Sequence, residues 1–207
     1  MLDELVKRPI IPVIVIDDAE SAVPLAEALL AGGIDVIEVT MRTAAAAGAI
    51  ARIGKSLPEM LLGAGTVLTT DQADQAIDAG ATFALAPGLN PQVVKHVQSR
   101  DTLFIPGVIT PSEIEQGLAL GCKMLKFFPA ANAGGPTALR VMAEPYANQD
   151  LRFCPTGGVN PNNINDYLSL PMVSCVGGSW LAKRQQIAAA EWAAITRQAK
   201  EALASVA

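Results

Sequence analysis

Lys126 lies in Leu125-Lys126-Phe127-Phe128-Pro129-Ala130, one charge among apolar neighbours. On a strand from Met124 to Phe128 side chains alternate, so Met124, Lys126 and Phe128 share a face. An ammonium on such a face is costly to keep charged, which favours the free amine. A free amine attacks a carbonyl to give a Schiff base. The bland alternative is a lysine that snorkels from a strand end into water. A second strand, through Val36-Ile37-Glu38-Val39-Thr40, turns Ile37 and Val39 to one side, suited to a helix layer, and leaves Glu38 on the inward face. Arg42 follows just past that strand, and Thr66 ends the next one. An inward carboxylate is expensive unless paired or employed, so Glu38 is either an ion partner of Arg42 or Lys126 or an acid–base group. His96 is the only histidine and sits in a helical pattern that reads as surface.

Two glycine clusters end the last strands: Thr156-Gly157-Gly158 and Gly177-Gly178-Ser179. Glycine lets a backbone approach an anion closely, and loops at the last two strands of a barrel commonly bind phosphate through N–H groups. A single glycine pair is usually just a turn; two on adjacent strands point to an anion cradle. No cluster of Asp, Glu and His accompanies them, so neither a metal nor another cofactor is expected.

The elements that must position these residues repeat as strand and helix. Strands are read at Ile10–Ile16, Ile34–Thr40, Leu61–Val67, Thr82–Ala86, Leu103–Ile105, Lys123–Phe128, Leu151–Cys154 and Met172–Val176. Helices alternate with them after a short opening one, and a long Ala-rich helix over Ile187–Ala204 closes the chain. Eight units in 207 residues leave about 26 each, near the minimum for a right-handed crossover. Four strands end in Ala86-Pro87, Ile105-Pro106, Phe128-Pro129 and Cys154-Pro155, a self-similarity that favours an α/β fold of the (β/α)8 TIM-barrel type. No linker divides the sequence, so residues 1–207 are read as a single domain with a short N-terminal helix.

Hydrophobic residues make up 51% and charged residues 17%, the balance of a folded globular chain. A net charge of -5 without a basic stripe argues against nucleic acid, and no apolar run is long enough to span a membrane. The opening residues, with Asp3 and Glu4, carry no signal-peptide core, which points to the cytoplasm. Cys122, Cys154 and Cys175 are widely spaced and read as buried, inert thiols.

Taken in order, Glu38-Val39-Thr40-Met41-Arg42-Thr43, Gly63-Ala64-Gly65-Thr66-Val67, Lys126-Phe127-Phe128-Pro129-Ala130, Phe153-Cys154-Pro155-Thr156-Gly157-Gly158 and Gly177-Gly178-Ser179-Trp180 resemble the motifs of the class I 2-keto-3-deoxy-6-phosphogluconate (KDPG) and 4-hydroxy-2-oxoglutarate aldolases. The resemblance runs from about Pro9 to Trp180. It implies a homotrimeric (β/α)8 lyase that cleaves a small keto-acid phosphate to pyruvate and glyceraldehyde 3-phosphate without a cofactor. Lys126 would be the Schiff-base lysine and Glu38 the proton-transfer residue. Arg42 and Thr66 would hold the substrate carboxylate, Thr156, Gly157, Gly158, Gly178 and Ser179 the phosphate, and Pro87 and Phe128 would wall the pocket. One departure is Ala131, where many relatives carry Glu. Rival readings are a phosphogalactonate aldolase, a phosphate-binding barrel isomerase and a non-enzymatic sugar-phosphate sensor.

Overall fold

A computed structural model of the chain describes residues 1–206. Nine strands follow one another: β1 (Ile10–Ile14), β2 (Val36–Thr40), β3 (Leu61–Gly65), β4 (Phe83–Leu85), β5 (Leu103–Ile105), β6 (Gly107–Val108), β7 (Met124–Phe127), β8 (Arg152–Pro155) and β9 (Val176–Gly178). Ten α-helices accompany them: α1 (Leu2–Leu5), α2 (Ala22–Ala31), α3 (Ala46–Ser56), α4 (Thr70–Asp78), α5 (Pro91–Ser99), α6 (Pro111–Ala119), α7 (Gly135–Ala143), α8 (Ile164–Leu168), α9 (Arg184–Ala188) and α10 (Trp192–Ala204).

Every paired strand runs parallel to its neighbour, in a six-stranded sheet ordered β5-β4-β3-β2-β1-β9 and a three-stranded sheet ordered β6-β7-β8. The expected TIM-like α/β arrangement is present, but its ladder is interrupted at two seams. At the first, Pro106 separates β5 from β6: lacking an N–H it cannot extend the ladder, while its carbonyl accepts from the Lys126 N–H at 2.8 Å. At the second, β8 and β9 meet through the single bridge Thr156↔Gly177. Because all strands are parallel, their C-terminal ends share one rim, the face on which barrels of this type build their sites.

Helix starts follow local chemistry. Asn90 caps α5 by accepting from the Gln92 N–H at 3.0 Å, with Pro91 at the first helical position. Thr110 and Glu113 form a reciprocal capping box at α6. Inward faces are apolar at helical spacing, as in α3, where Ala46, Ala49, Ile50 and Ile53 are buried.

Several strand ends move by one or two residues and the short strand β6 was not expected, but two differences are larger. The last strand is Val176–Gly178 and not Met172–Val176, because pairing with β1 sets its register: Ile10 faces Val176, Ile11 faces Gly177 and Pro12 faces Gly178. The glycines read as a loop are therefore partly sheet. The closing helix breaks in two: Ala190 turns left-handed at φ +52°, the Glu191 N–H bonds the Gln186 carbonyl at 2.9 Å, and α10 starts afresh at Trp192. That closure is one glycine usually makes. An alanine-rich run gives no local hint of it, since alanine is the best helix former.

Candidate active site

Alternation along β2 turns Glu38 inward, and alternation along β7 does the same for Lys126, as the sequence predicted. The two residues are 88 apart in the chain, and Lys126 Nζ donates to Glu38 Oε1 at 3.2 Å. Side-chain exposure is 6% for Lys126 and 1% for Glu38, so the pair is almost fully withdrawn from water. Of the two ion partners open to Glu38, the structure selects Lys126. The second carboxylate oxygen, Oε2, is buried and accepts no hydrogen bond from the described residues. The Phe128 ring lies 5.8 Å from the ammonium, within reach of a cation–π contact.

Around this pair the rim is assembled from six strand ends. The Gly65 carbonyl at the end of β3 accepts from the Met41 N–H at 2.8 Å, which ties the start of the Arg42 loop to the start of Thr66. Arg42 is exposed and forms no ion pair among the described residues, so its guanidinium fork is open to an anion. Thr66 is held at φ +55°, a conformation that a β-branched residue adopts only under constraint. Pro87, half-buried at the end of β4, stands on the same rim.

The loops after β7 and β8 are stitched together. The Ala130 N–H donates to the Thr156 carbonyl at 2.8 Å and the Ala131 N–H to the Gly157 carbonyl at 2.9 Å. The Phe128–Pro129 peptide is cis, and Gly157 packs on it: a Cβ at Gly157 would lie 3.2 Å from the Pro129 Cα. Gly157 and Gly158 adopt φ +95° and +79° in succession, which only glycine does cheaply. Among the described residues the N–H groups of Gly157, Gly158 and Ser179 donate to no protein acceptor. They are free donors at one corner of the rim, the requirement for an anion cradle. Thr156 is buried beside them at 6% exposure, Gly178 is buried within β9, and Ser179 is exposed just beyond it.

The three cysteines are buried free thiols, as expected. Burial pushes Cys122 up to about 11. Cys154 is paired in register with Lys126, and its contact with Cys175 together with the nearby ammonium holds its thiol low; the same contact and burial push Cys175 well up. His96 bonds Asp74 at 2.9 Å on the flank of α5, away from this site. Gly65, which the sequence reading left without a role, and Gly177, which it placed only in the anion cradle, stand at the site. Gly65 lies against the Glu38 carboxylate and Gly177 against the Thr156 hydroxyl, so that a Cβ at either would overlap the facing oxygen. Glycines on inward strand positions opposite polar residues were the available signal.

The family model for KDPG and KHG aldolase matches residues 2–198. The KHG/KDPG aldolase of Escherichia coli (strain K12) is 46% identical over 199 residues, 96% of this chain and 92% of that one. The KDPG aldolase of Legionella pneumophila, whose crystal structure holds pyruvate as a covalent carbinolamine, superposes at a TM-score of 0.89 with 44% identity, covering 93% of each chain. The enzyme of Zymomonas mobilis ZM4, solved with 3-phosphoglycerate, gives a TM-score of 0.90 at 44% identity over 97% of this chain and 94% of that one. With this similarity spanning the whole rim, the chain belongs to the KDPG and KHG aldolase family.

Proposed function

We propose that the protein is a class I aldolase that cleaves 2-keto-3-deoxy-6-phosphogluconate to pyruvate and glyceraldehyde 3-phosphate. The observation that carries the reading is the buried amine of Lys126 held 3.2 Å from the Glu38 carboxylate on the inward face of the rim. Glu38 takes the ammonium proton, the freed amine attacks C2 to give a carbinolamine, and the proton returns to the departing hydroxyl, so that water leaves and a protonated imine forms. That imine is an electron sink. Glu38 takes the proton of the C4 hydroxyl, the C3–C4 electron pair moves towards the imine, and the aldehyde leaves. The resulting enamine is protonated at C3, Glu38 returning the proton, and water releases pyruvate and the free lysine. Capture of pyruvate as a carbinolamine in the Legionella relative supports the covalent route.

The exposed guanidinium of Arg42, next to Thr66, suits the substrate carboxylate. The free N–H groups of Gly157, Gly158 and Ser179, with Thr156 behind them, suit the phosphate. Binding of 3-phosphoglycerate by the Zymomonas relative is in keeping with such a corner. Pro87 and Phe128 serve as walls. The shorter 4-hydroxy-2-oxoglutarate needs only the Lys126, Glu38, Arg42 and Thr66 half of the site, so its cleavage to pyruvate and glyoxylate is part of the proposal, and the name of the E. coli relative carries both activities.

The working form is a single-domain chain assembled as a homotrimer in the cytoplasm. An apolar recess of about 620 Å³ beside exposed Ile109 and Val141 supports association between copies. No helix among the described residues is long and apolar enough to cross a membrane.

Incubation with pyruvate and borohydride, followed by peptide mass analysis, tests the chemistry. The expected result is one reduced pyruvate adduct, on Lys126. Labelling at Lys123 or Lys183 with Lys126 untouched would overturn the mechanism, and absence of any adduct with phosphate binding retained would mark a sugar-phosphate sensor.

A further inference from the structure

We infer that Gly65 is a positioning residue: its missing side chain is the space in which the Glu38 carboxylate sits, and so it sets where that carboxylate delivers and collects protons. The inference rests on the proposed proton-transfer role of Glu38.

The geometry is specific. In the register between β2 and β3, Glu38 is opposite Gly63 and Thr40 is opposite Gly65. Glu38 therefore leans one pleat towards the rim to reach the level of Lys126 and the substrate. A Cβ at Gly65 would lie 2.0 Å from Oε1, 2.7 Å from Cδ and 2.8 Å from Cγ of Glu38. The oxygen that overlaps most is the one that accepts from Lys126. Reaching even a 3.0 Å contact would require Oε1 to retreat by about 1 Å. Retreat would shift it relative to the amine and to the reacting C3 and C4.

Two comparisons separate this from a general demand for glycine. Gly65 does not adopt a positive φ, so alanine there meets no backbone objection, and only the space is at issue. Gly63, also inward on β3, is filled by something else: its Cβ would meet the Phe83 ring at 2.3 Å. Of the two inward glycines of β3, one accommodates core packing and the other the carboxylate.

The test compares wild type, Gly65→Ala, Glu38→Asp, the double variant and Glu38→Gln. The readouts are the borohydride-trapped pyruvate imine, the KM for pyruvate, and the rate at which the pyruvate methyl protons exchange with D2O by NMR. That exchange reports proton transfer at C3 without an aldehyde or a phosphate. Gly65→Ala is expected to keep imine trapping and to change KM by less than about threefold, while methyl exchange falls by about 10- to 100-fold, the penalty of an ångström-scale misplacement. Because Asp withdraws the oxygen that overlaps most, adding Gly65→Ala to the Glu38→Asp background should cost less than about threefold further. If Gly65→Ala fails to fold, this second comparison carries the test alone. Exchange in Gly65→Ala within threefold of wild type, or the same proportional loss in both backgrounds, overturns the inference. Wild-type exchange in Glu38→Gln is a separate outcome: it would remove Glu38 from proton transfer, and with it the reading on which the inference stands.

Discussion

Lys126→Met offers a direct measure of how far the site is built around its ion pair. The substitution keeps an apolar stem of similar length and deletes the charge that Glu38 Oε1 contacts at 3.2 Å. At that separation the attraction is about 5 kcal/mol for an effective dielectric constant near 20. That figure is gross, since both ions were desolvated to make it. The observable is the cost of stranding Glu38, which is 1% exposed and already has one oxygen without a partner among the described residues. Removing one member of a buried pair typically costs about 3–5 kcal/mol. In a chain of this size each kcal/mol moves the melting midpoint by about 2–4 °C, so a fall of about 6–20 °C is expected. Scanning calorimetry at fixed protein concentration reads it, and adding Glu38→Gln should restore most of the loss, because the stranded charge is then gone. If Lys126→Met melts within about 2 °C of wild type, less than a single kcal/mol on this scale, the pair is not desolvated and the energetic account of the site is wrong.

Glu38→Gln keeps the shape and removes the basicity, so turnover should fall by about 10²–10⁴-fold with imine trapping retained; near-normal turnover would leave Glu38 as no more than the counter-ion of Lys126. Thr66→Gly should relieve a φ of +55° and leave the melting temperature at or above that of wild type, against the entropic cost of glycine, while KM for the keto acid rises. A drop in stability with unchanged KM would make Thr66 a packing residue. Ser179→Asp sets a carboxylate beside the free N–H groups of Gly157 and Gly158; kcat/KM for the phosphorylated substrate should collapse, and that for 4-hydroxy-2-oxoglutarate should fall much less. Equal losses on both substrates would take the phosphate away from this corner.

Why Lys126 and Glu38 were legible, and other features not, comes down to the range of the physics involved. Strand alternation is a local rule, and Ile37 and Val39 flanking Glu38 were enough to turn it inward. The partner of Glu38 is 88 residues away, and nothing local chose Lys126 over Arg42; the fold did, by bringing β7 and β2 together. The last strand was displaced because its register is set by β1, at the other end of the chain. The break at Ala190 escaped because the run around it is locally ideal helix, overridden by the left-handed closure at Glu191. Gly65 was visible as part of a motif yet had no role, since the oxygen it accommodates belongs to another strand.

The distribution of costs in the molecule argues for the same site independently of any resemblance. Below the rim, Ile11, Phe83 and Met124 fill the interior and are fully buried, and each such side chain contributes about 1.5–3 kcal/mol relative to exposure. At the rim the trend reverses. Among the described residues, a buried charge pair, a carboxylate oxygen without a donor, a threonine in left-handed conformation and three unpartnered N–H groups stand within the ends of five strands. Each is destabilising or neutral on its own. Each also corresponds to something the proposed substrate would bring: an electrophilic carbon for the amine, a hydroxyl proton for the free carboxylate oxygen, a carboxylate for Arg42 beside Thr66, and phosphate oxygens for the N–H groups. A fold selected for stability alone would replace Lys126 and Glu38 with an apolar pair of similar volume, which is often neutral or better. The geometry makes sense as a surface incomplete without its ligand, stabilised by the apolar layers beneath it.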